Sequence, residues 1–195
     1  MQPFKAEASQ VIQSTATPDH APPVLLQLAE LLPAPTRPIE VVGGPSYVFE
    51  SVSPEASLCS AELVVFTSEG DVSSTLATAR PQAWWKADEW ADLLAGHLGP
   101  WAIGIAAGLV ANLCHTAVAS VRAAEAGVWT HPDVRGRGYA SIVTRAWATV
   151  ASTEFQNLFY STSASNTASR RVAEKMQLRP IGWIWQLRTA TNATA

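Results

Sequence analysis

The sequence predicts an α+β fold, and three observations carry that reading. Short β-rich apolar stretches at residues 62–67, 101–106, 109–117 and 123–130, each closed by turn residues, read as a meander of strands. Apolar positions at helical spacing recur over residues 86–98, 139–152 and 166–176. Between the two regimes, residues 123–151 (AAEAGVWTHPDVRGRGYASIVTRAWATVA) pass from a strand through a glycine-rich turn into a helix.

Taken in order, residues 1–38 form a Pro-rich N-terminal extension with one two-turn amphipathic helix at 24–32 between prolines, and residues 39–195 form the domain. Residues 39–42 and 47–49 are β-rich and flank Gly43, Gly44 and Pro45, a pattern that predicts a hairpin or a sharply turned pair of strands. After the strand at 62–67, residues 72–79 are weakly helical and stop at Arg80-Pro81, because a residue before proline avoids the helical region. Residues 86–98 are a firmer helix, with Trp90, Leu93, Leu94 and Leu98 at helical spacing and Gly96 and Gly99 at its end. Trp84, Trp85 and Trp90 read first as core, and second as the floor of a substrate pocket. A hairpin at 101–117 turns at Ala107-Gly108 and continues into the strand at 123–130. The helix at 139–152 buries Ile142, Val143, Ala146, Trp147 and Val150; a strand at 158–162 follows, and then a helix at 166–176 capped by Ser165 or Asn166. Alternating Trp183, Trp185 and Leu187 give the last strand, 181–187, one aromatic face.

Composition narrows the class. With 48% hydrophobic and 15% charged positions in 195 residues, the chain can bury a sizeable core. A formal net charge of -3 provides no general attraction to nucleic acid or to an anionic membrane, so any anion site has to be local. R-G-R-G also occurs in RNA-binding tails, but here apolar periodic segments flank it on both sides. Cys59 and Cys114 are too few for a disulfide framework or a zinc site, and MQPFKAEASQ lacks a signal-peptide pattern. The longest apolar run, 101–111, is too short to span a bilayer. These features predict a cytoplasmic protein with no metal, no nucleic acid and no membrane partner.

The turn is where chemistry is expected. A helix start leaves its first N–H donors without internal partners and carries the positive end of the helix dipole, which suits a phosphate. Gly136 and Gly138 let the backbone approach a ligand that any Cβ would push away, while Arg135 and Arg137 add positive charge.

Two blocks give these expectations a family. His131-Pro132-Asp133-Val134 followed by Arg135-Gly136-Arg137-Gly138-Tyr139-Ala140 fits a [QR]-x-x-G-x-[GA] signature, and Asn166, Ser169, Val172, Glu174 and Lys175 match N-x-x-[AS]-x-x-[LV]-x-E-K. Over residues 62–188 the chain thereby resembles the GNAT superfamily of acyl-CoA-dependent N-acetyltransferases. The resemblance implies a mixed, mostly antiparallel central sheet with helices on both faces and a V-shaped splay between the fourth and fifth core strands. It implies acetyl-CoA in that cleft, with the N–H groups of Arg135, Gly136, Arg137, Gly138, Tyr139 and Ala140 on the pyrophosphate. Backbone groups of Val128, Trp129 and Thr130 would hold the pantetheine and thioester, and Asn166 and Ser169 would line the pantetheine arm. The partner is an amine, small molecule or peptide, attacking the thioester directly.

Transfer needs a neutral amine, a donor for the tetrahedral oxyanion and a proton for the leaving thiolate. Glu125 comes first as base because it lies on the strand bearing the thioester site, ahead of His115 and His131. Strand parity sets Glu125, Gly127 and Trp129 on one face and Ala124, Ala126 and Val128 on the other, unless a bulge re-aims them. Where many members carry a tyrosine acid in the final helix, this chain has Ala173, so Tyr160, Ser161, Ser165 or water has to replace it. Gln177 stands where the family has glycine. Only one strand follows, so the sheet is completed either by the N-terminal hairpin or by a second copy in a homodimer. A non-catalytic acyl-CoA-binding module is the rival reading.

Overall fold

A computed structural model describes residues 20–32, 38–50, 62–70 and 74–189. Most of the predicted extension and Cys59 lie outside these residues. The described strands and helices form an α+β fold that divides into two units.

The larger unit comprises Tyr47–Ser161 and Ala168–Pro180. Its strands β2 (Val64–Thr67), β3 (Trp101–Ala106), β4 (Leu109–Ala119), β5 (Ala123–Thr130) and β6 (Asn157–Ser161) lie in that order across the sheet. The first four pair antiparallel and β6 runs parallel to β5. Ala107 and Gly108 both take positive φ to close the β3–β4 hairpin, as the turn residues predicted.

The two faces of this sheet have separate cores. Helix α4 (Tyr139–Glu154) lays Val143, Trp147, Ala148 and Ala151 against Ala102, Ala111, Cys114, Ala124 and Ala126. Small side chains on the sheet let the helix approach closely, and Trp147 fills the remaining space. Its indole N–H donates to the Pro100 carbonyl at 3.0 Å and to Thr116 Oγ1 at 3.2 Å, so this polar group is satisfied inside the core. On the opposite face, α2 (Ser74–Thr78) and α3 (Ala87–Leu94) contribute Leu76, Trp90 and Leu93, which cover Trp101, Ile103, Ile105 and Leu113. The predicted helix through Leu98 stops at Leu94 instead. Gly96 turns left-handed at φ 78°, which takes Leu98 out of helical phase and leaves it 41% exposed.

The smaller unit draws its described residues from Met1–Ser46, Thr162–Thr167 and Ile181–Ala195. Helix α1 (Pro23–Leu31) has no buried residue. The predicted hairpin at Gly43-Gly44-Pro45 is not formed; β1 (Ile39–Val48) runs straight through it. Both glycines serve close approach rather than turning. A Cβ on Gly44 would fall 1.8 Å from the Thr162 carbonyl oxygen, and one on Gly43 would fall 2.4 Å from the Trp185 ring. The Pro45 carbonyl accepts from Thr162 N–H at 3.2 Å, the kind of pairing a strand makes. Beside β1 lies β7 (Arg179–Thr189), whose Trp183 and Trp185 stack with centroids 5.4 Å apart, the aromatic face read from sequence. The last strand is thus joined by one N-terminal strand rather than by a hairpin.

Candidate functional site

The site is built where β5 and β6 part. Their parallel ladder pairs Ala123 with Asn157, Ala124 with Leu158 and Glu125 with Phe159, and goes no further. β5 nevertheless continues to Thr130, held on its other side by Leu113 opposite Trp129 and Asn112 opposite Thr130. The edge of β5 that carries Val128, Trp129 and Thr130 therefore faces a cleft inside the larger unit instead of a strand. Fully buried Asn112 pins its end, donating from Nδ2 to the Trp129 carbonyl at 2.7 Å and to Thr130 Oγ1 at 2.6 Å.

At the end of β5 the chain makes a tight single turn, Pro132–Val134, before reaching the glycines. His131 Nδ1 accepts from the Asp133 N–H at 3.3 Å, and Arg135 N–H donates back to the Pro132 carbonyl at 3.3 Å. Arg135 is consequently not one of the free amides that the sequence suggested, because the proline turn consumes its donor. Gly136 and Gly138 follow at φ 83° and 82°, both left-handed. Among the described residues, no acceptor meets the N–H groups of Gly136, Gly138, Tyr139 or Ala140, and the start of α4 has no side-chain cap. Arg137 lies 3.7 Å from Glu62, to which Tyr139 Oη also donates at 3.2 Å. Lys175 was missed as a neighbour of this turn. Its Nζ sits 2.9 Å from where a Gly138 Cβ would be, a long-range approach that motif spacing alone does not reveal.

The parity of β5 is as the alternation required. Ala124, Ala126 and Val128 join the α4 core, while Trp129 joins the opposite cluster and Gly127 lies under the His115 ring. The irregularity in this ladder falls on β4 between Thr116 and Val118, so it does not re-aim Glu125. Glu125 sits at the last rung before the cleft and makes no ion pair among the described residues. His115 packs edge-on against Trp85 at 5.3 Å, and its Nδ1 is buried with no partner among the described residues. Burial pushes the imidazole below its ordinary value, and a hydrogen bond with the Gly127 backbone partly offsets that. Of the tryptophans, Trp90 is core and Trp85 half-buried beside it, whereas Trp84 is 56% exposed and lies 5.9 Å from Trp129.

On β6, Tyr160 is buried against the α4 core, its hydroxyl bonded to the Ser169 side chain on α5 (Thr167–Lys175). Burial raises its pKa. Ala173, the position matched to the family's tyrosine, is fully buried. Asn166 falls in the smaller unit, where its N–H donates to the Ser163 carbonyl at 3.0 Å. A cavity of about 540 Å³ is lined by Val134, Arg137 and Tyr139 together with residues of the β3–β4 hairpin. No described helix is long and apolar enough to cross a membrane.

Comparison with known proteins agrees with this fold. The family described as acetyltransferase (GNAT) domain matches residues 56–179. No curated protein matches the sequence. Among solved structures, the chain is similar to a putative GNAT acetyltransferase from Novosphingobium aromaticivorans at 22% identity and TM-score 0.55, covering 82% of this chain and 70% of that one. It is similar to a GNAT acetyltransferase from Colwellia psychrerythraea at 15% identity and TM-score 0.56, with 87% and 63% covered. It is also similar to a tandem GNAT protein from the clavulanic acid biosynthesis pathway at 12% identity and TM-score 0.54, with 92% and 62% covered. The chain thus spans less than two thirds of the latter two proteins, and at these identities the likeness shows the fold alone. The match of the family over more than half of the sequence goes further, and the chain belongs to the GNAT acetyltransferase family.

Proposed function

We propose that this protein transfers an acetyl group from acetyl-CoA to an amine by direct attack on the thioester. The observation that carries the reading is the parting of β5 from β6 at Glu125, just ahead of a glycine turn with unclaimed amides. A diphosphate needs several N–H donors converging from a concave backbone, and the left-handed glycines with the start of α4 have that character. Arg135, Arg137 and Lys175 supply the countercharge. In this reading the open edge from Val128 to Thr130 receives the pantetheine and fixes the thioester oxygen as it becomes anionic.

Glu125 is the base of this reading. It stands at the vertex of the cleft, on the face away from α4, where the amine comes in beside His115 and Trp129. A carboxylate there relays the amine's proton through a water. Trp84 and Trp129 favour an acceptor with an apolar or aromatic body.

Calorimetric titration with acetyl-CoA, followed by thiol release over a panel of aryl-alkyl amines, polyamines and peptides, tests the proposal. Saturable binding with CoA release for at least one amine is expected; folded protein that binds no acetyl-CoA would end it. The absence of a hydroxyl at buried Ala173 favours one rival, a module that binds acyl-CoA without turning it over. That rival predicts binding with no thiol released by any amine.

A further inference from the structure

Arg80 stands in the loop between α2 and α3, the segment that carries Trp84 and Trp85. It is half-buried, and its Nη1 donates to the Trp85 carbonyl. The N–H groups of Trp84 and Trp85 both close on the Pro81 carbonyl, at 2.9 and 3.0 Å, so the loop that presents Arg80 and Trp84 is a tight turn. Among the described residues no carboxylate pairs with Arg80. One carbonyl leaves most donors of the planar guanidinium fork unused, and that fork matches a carboxylate in two-point geometry.

Arg80 lines a recess of about 160 Å³ together with Trp84, Leu109, Val110 and His131. No acidic residue lines it; Asp133, close to His131 in the chain, lines the larger cavity instead. Whole small-molecule pockets run to about 300–1,000 Å³, so this recess has room for one end of a ligand. The positive group, the missing counter-ion and the size agree on what that end is: a carboxylate.

The register of β5 says how far this end lies from the chemistry. On the face away from α4, Gly127, Trp129 and His131 follow one another, with the last two rings 5.9 Å apart. His131 N–H donates to the Ala111 carbonyl at 2.9 Å, so the chain is still held beside β4 at this point. In the reading above the amine enters at the Gly127 end, under His115, whereas the recess opens at the His131 end. Those ends are four residues apart, about 13 Å of strand. Trp129 lies between them, with Trp84 beside it at 5.9 Å to take an apolar body.

We infer that the acceptor is a short peptide that offers its N-terminal amine to the thioester and its C-terminal carboxylate to Arg80. The inference rests on the acetyl-CoA reading. An extended chain covers about 3.3–3.6 Å per residue, so a peptide of about three or four residues spans the distance and a free amino acid does not.

Calorimetry with CoA comes first; if the wild type does not bind it, the acetyl-CoA reading has failed and this inference with it. On CoA-saturated protein the probes are glycyl-phenylalanyl-alanine and its C-terminal amide. The free carboxylate should bind at least about tenfold more tightly than the amide, and the gap should narrow as salt is raised. Arg80→Gln should bring the two peptides within about twofold of each other, and Arg80→Lys should retain part of the gap. This ratio separates recognition from a structural role, because a disturbed loop weakens both peptides alike. Two results on the wild type alone overturn the inference while CoA binding stands: no saturable binding of either peptide, or equal affinity for both. A tenfold gap that persists in Arg80→Gln also overturns it. Phenylalanine and phenylalaninamide should differ by less than about twofold, and a gap as large as that of the tripeptides would refute the separation drawn from β5.

Discussion

Replacing Gly136 or Gly138 by alanine separates the conformational role of the glycine turn from its chemical one. Both residues sit at nearly the same left-handed angle, φ 83° and 82°, so both alanines meet the same backbone penalty. That penalty is about 1–2 kcal/mol, offset by about 0.4–1 kcal/mol from the stiffer unfolded chain, leaving roughly 1 kcal/mol of destabilisation. In a chain of this size it lowers the melting temperature by about 2–4 °C. Sterically the two differ. An alanine at 136 points into open space, whereas one at 138 comes 2.9 Å from Lys175 Nζ. That ammonium ends a flexible side chain and swings away, so the two stability losses should agree. Coenzyme affinity should not. Each variant loses close approach of an amide to a charged phosphate, about 1.5–3 kcal/mol, or roughly 10–100-fold in Kd. Gly138→Ala also displaces Lys175 and should fall at the weaker end of that range. Thermal unfolding and CoA calorimetry on both variants provide the four numbers. If stability drops as expected while CoA affinity stays within about twofold for both, the glycines only turn the chain and the anion site is wrong.

Four further outcomes follow from particular contacts. Gly127→Ala should destabilise the fold by about 1–3 kcal/mol in urea unfolding, because its Cβ would fall 2.6 Å from the His115 ring and 2.9 Å from the Ala117 Cβ. Gln177→Gly should stabilise by about 1 kcal/mol: Gln177 is left-handed at φ 56°, in a helix end closed by Leu178 N–H to Ala173 and Gln177 N–H to Glu174. For His115, burial holds the folded value below the ordinary 6.5, so the unfolded chain takes up its proton first as pH falls. Stability is therefore whole above about 6.5 and declines as pH drops from there through the folded value, a slope that should be shallower in His115→Gln on chemical denaturation. Lys175→Gln should weaken CoA binding several-fold and flatten its salt dependence while leaving the melting temperature within about 1 °C, since Lys175 is exposed.

What the sequence disclosed, and what it hid, follows the range of the interactions involved. Local signals were sufficient for β3, β4, β5 and α4, where alternation, a two-residue turn and a helical stripe all agree. They failed at Gly43-Gly44-Pro45, because a glycine that turns the chain and a glycine that admits a neighbouring backbone are the same letter. Only the Thr162 carbonyl, far away in sequence, distinguishes them. The same limit applies at the site. The glycine turn was legible from its residues, yet the loss of the Arg135 amide to Pro132 depended on turn geometry, and the approach of Lys175 depended on how α5 packs. Asn112, which ties down the end of β5, gave no signal at all: a lone asparagine in a strand is conspicuous only once it is found buried.

The division of β5 into two faces bears directly on how such a site can work. Ala124, Ala126 and Val128 bind the strand to α4, so they fix its position and leave no room on that face for an acceptor. Glu125, Gly127 and Trp129 face the other way, towards His115 and the tryptophans. Tyr160 is buried on the α4 side with them, so in the proposed reading the amine and its base, Glu125, meet the thioester from the other face. Glu125→Gln should therefore slow acetyl transfer by about 100-fold while leaving CoA affinity within about twofold, read by thiol release and calorimetry. A Glu125→Gln variant as fast as the wild type at every pH would mean that no base works from this face, and the assignment of the acceptor side would have to be abandoned.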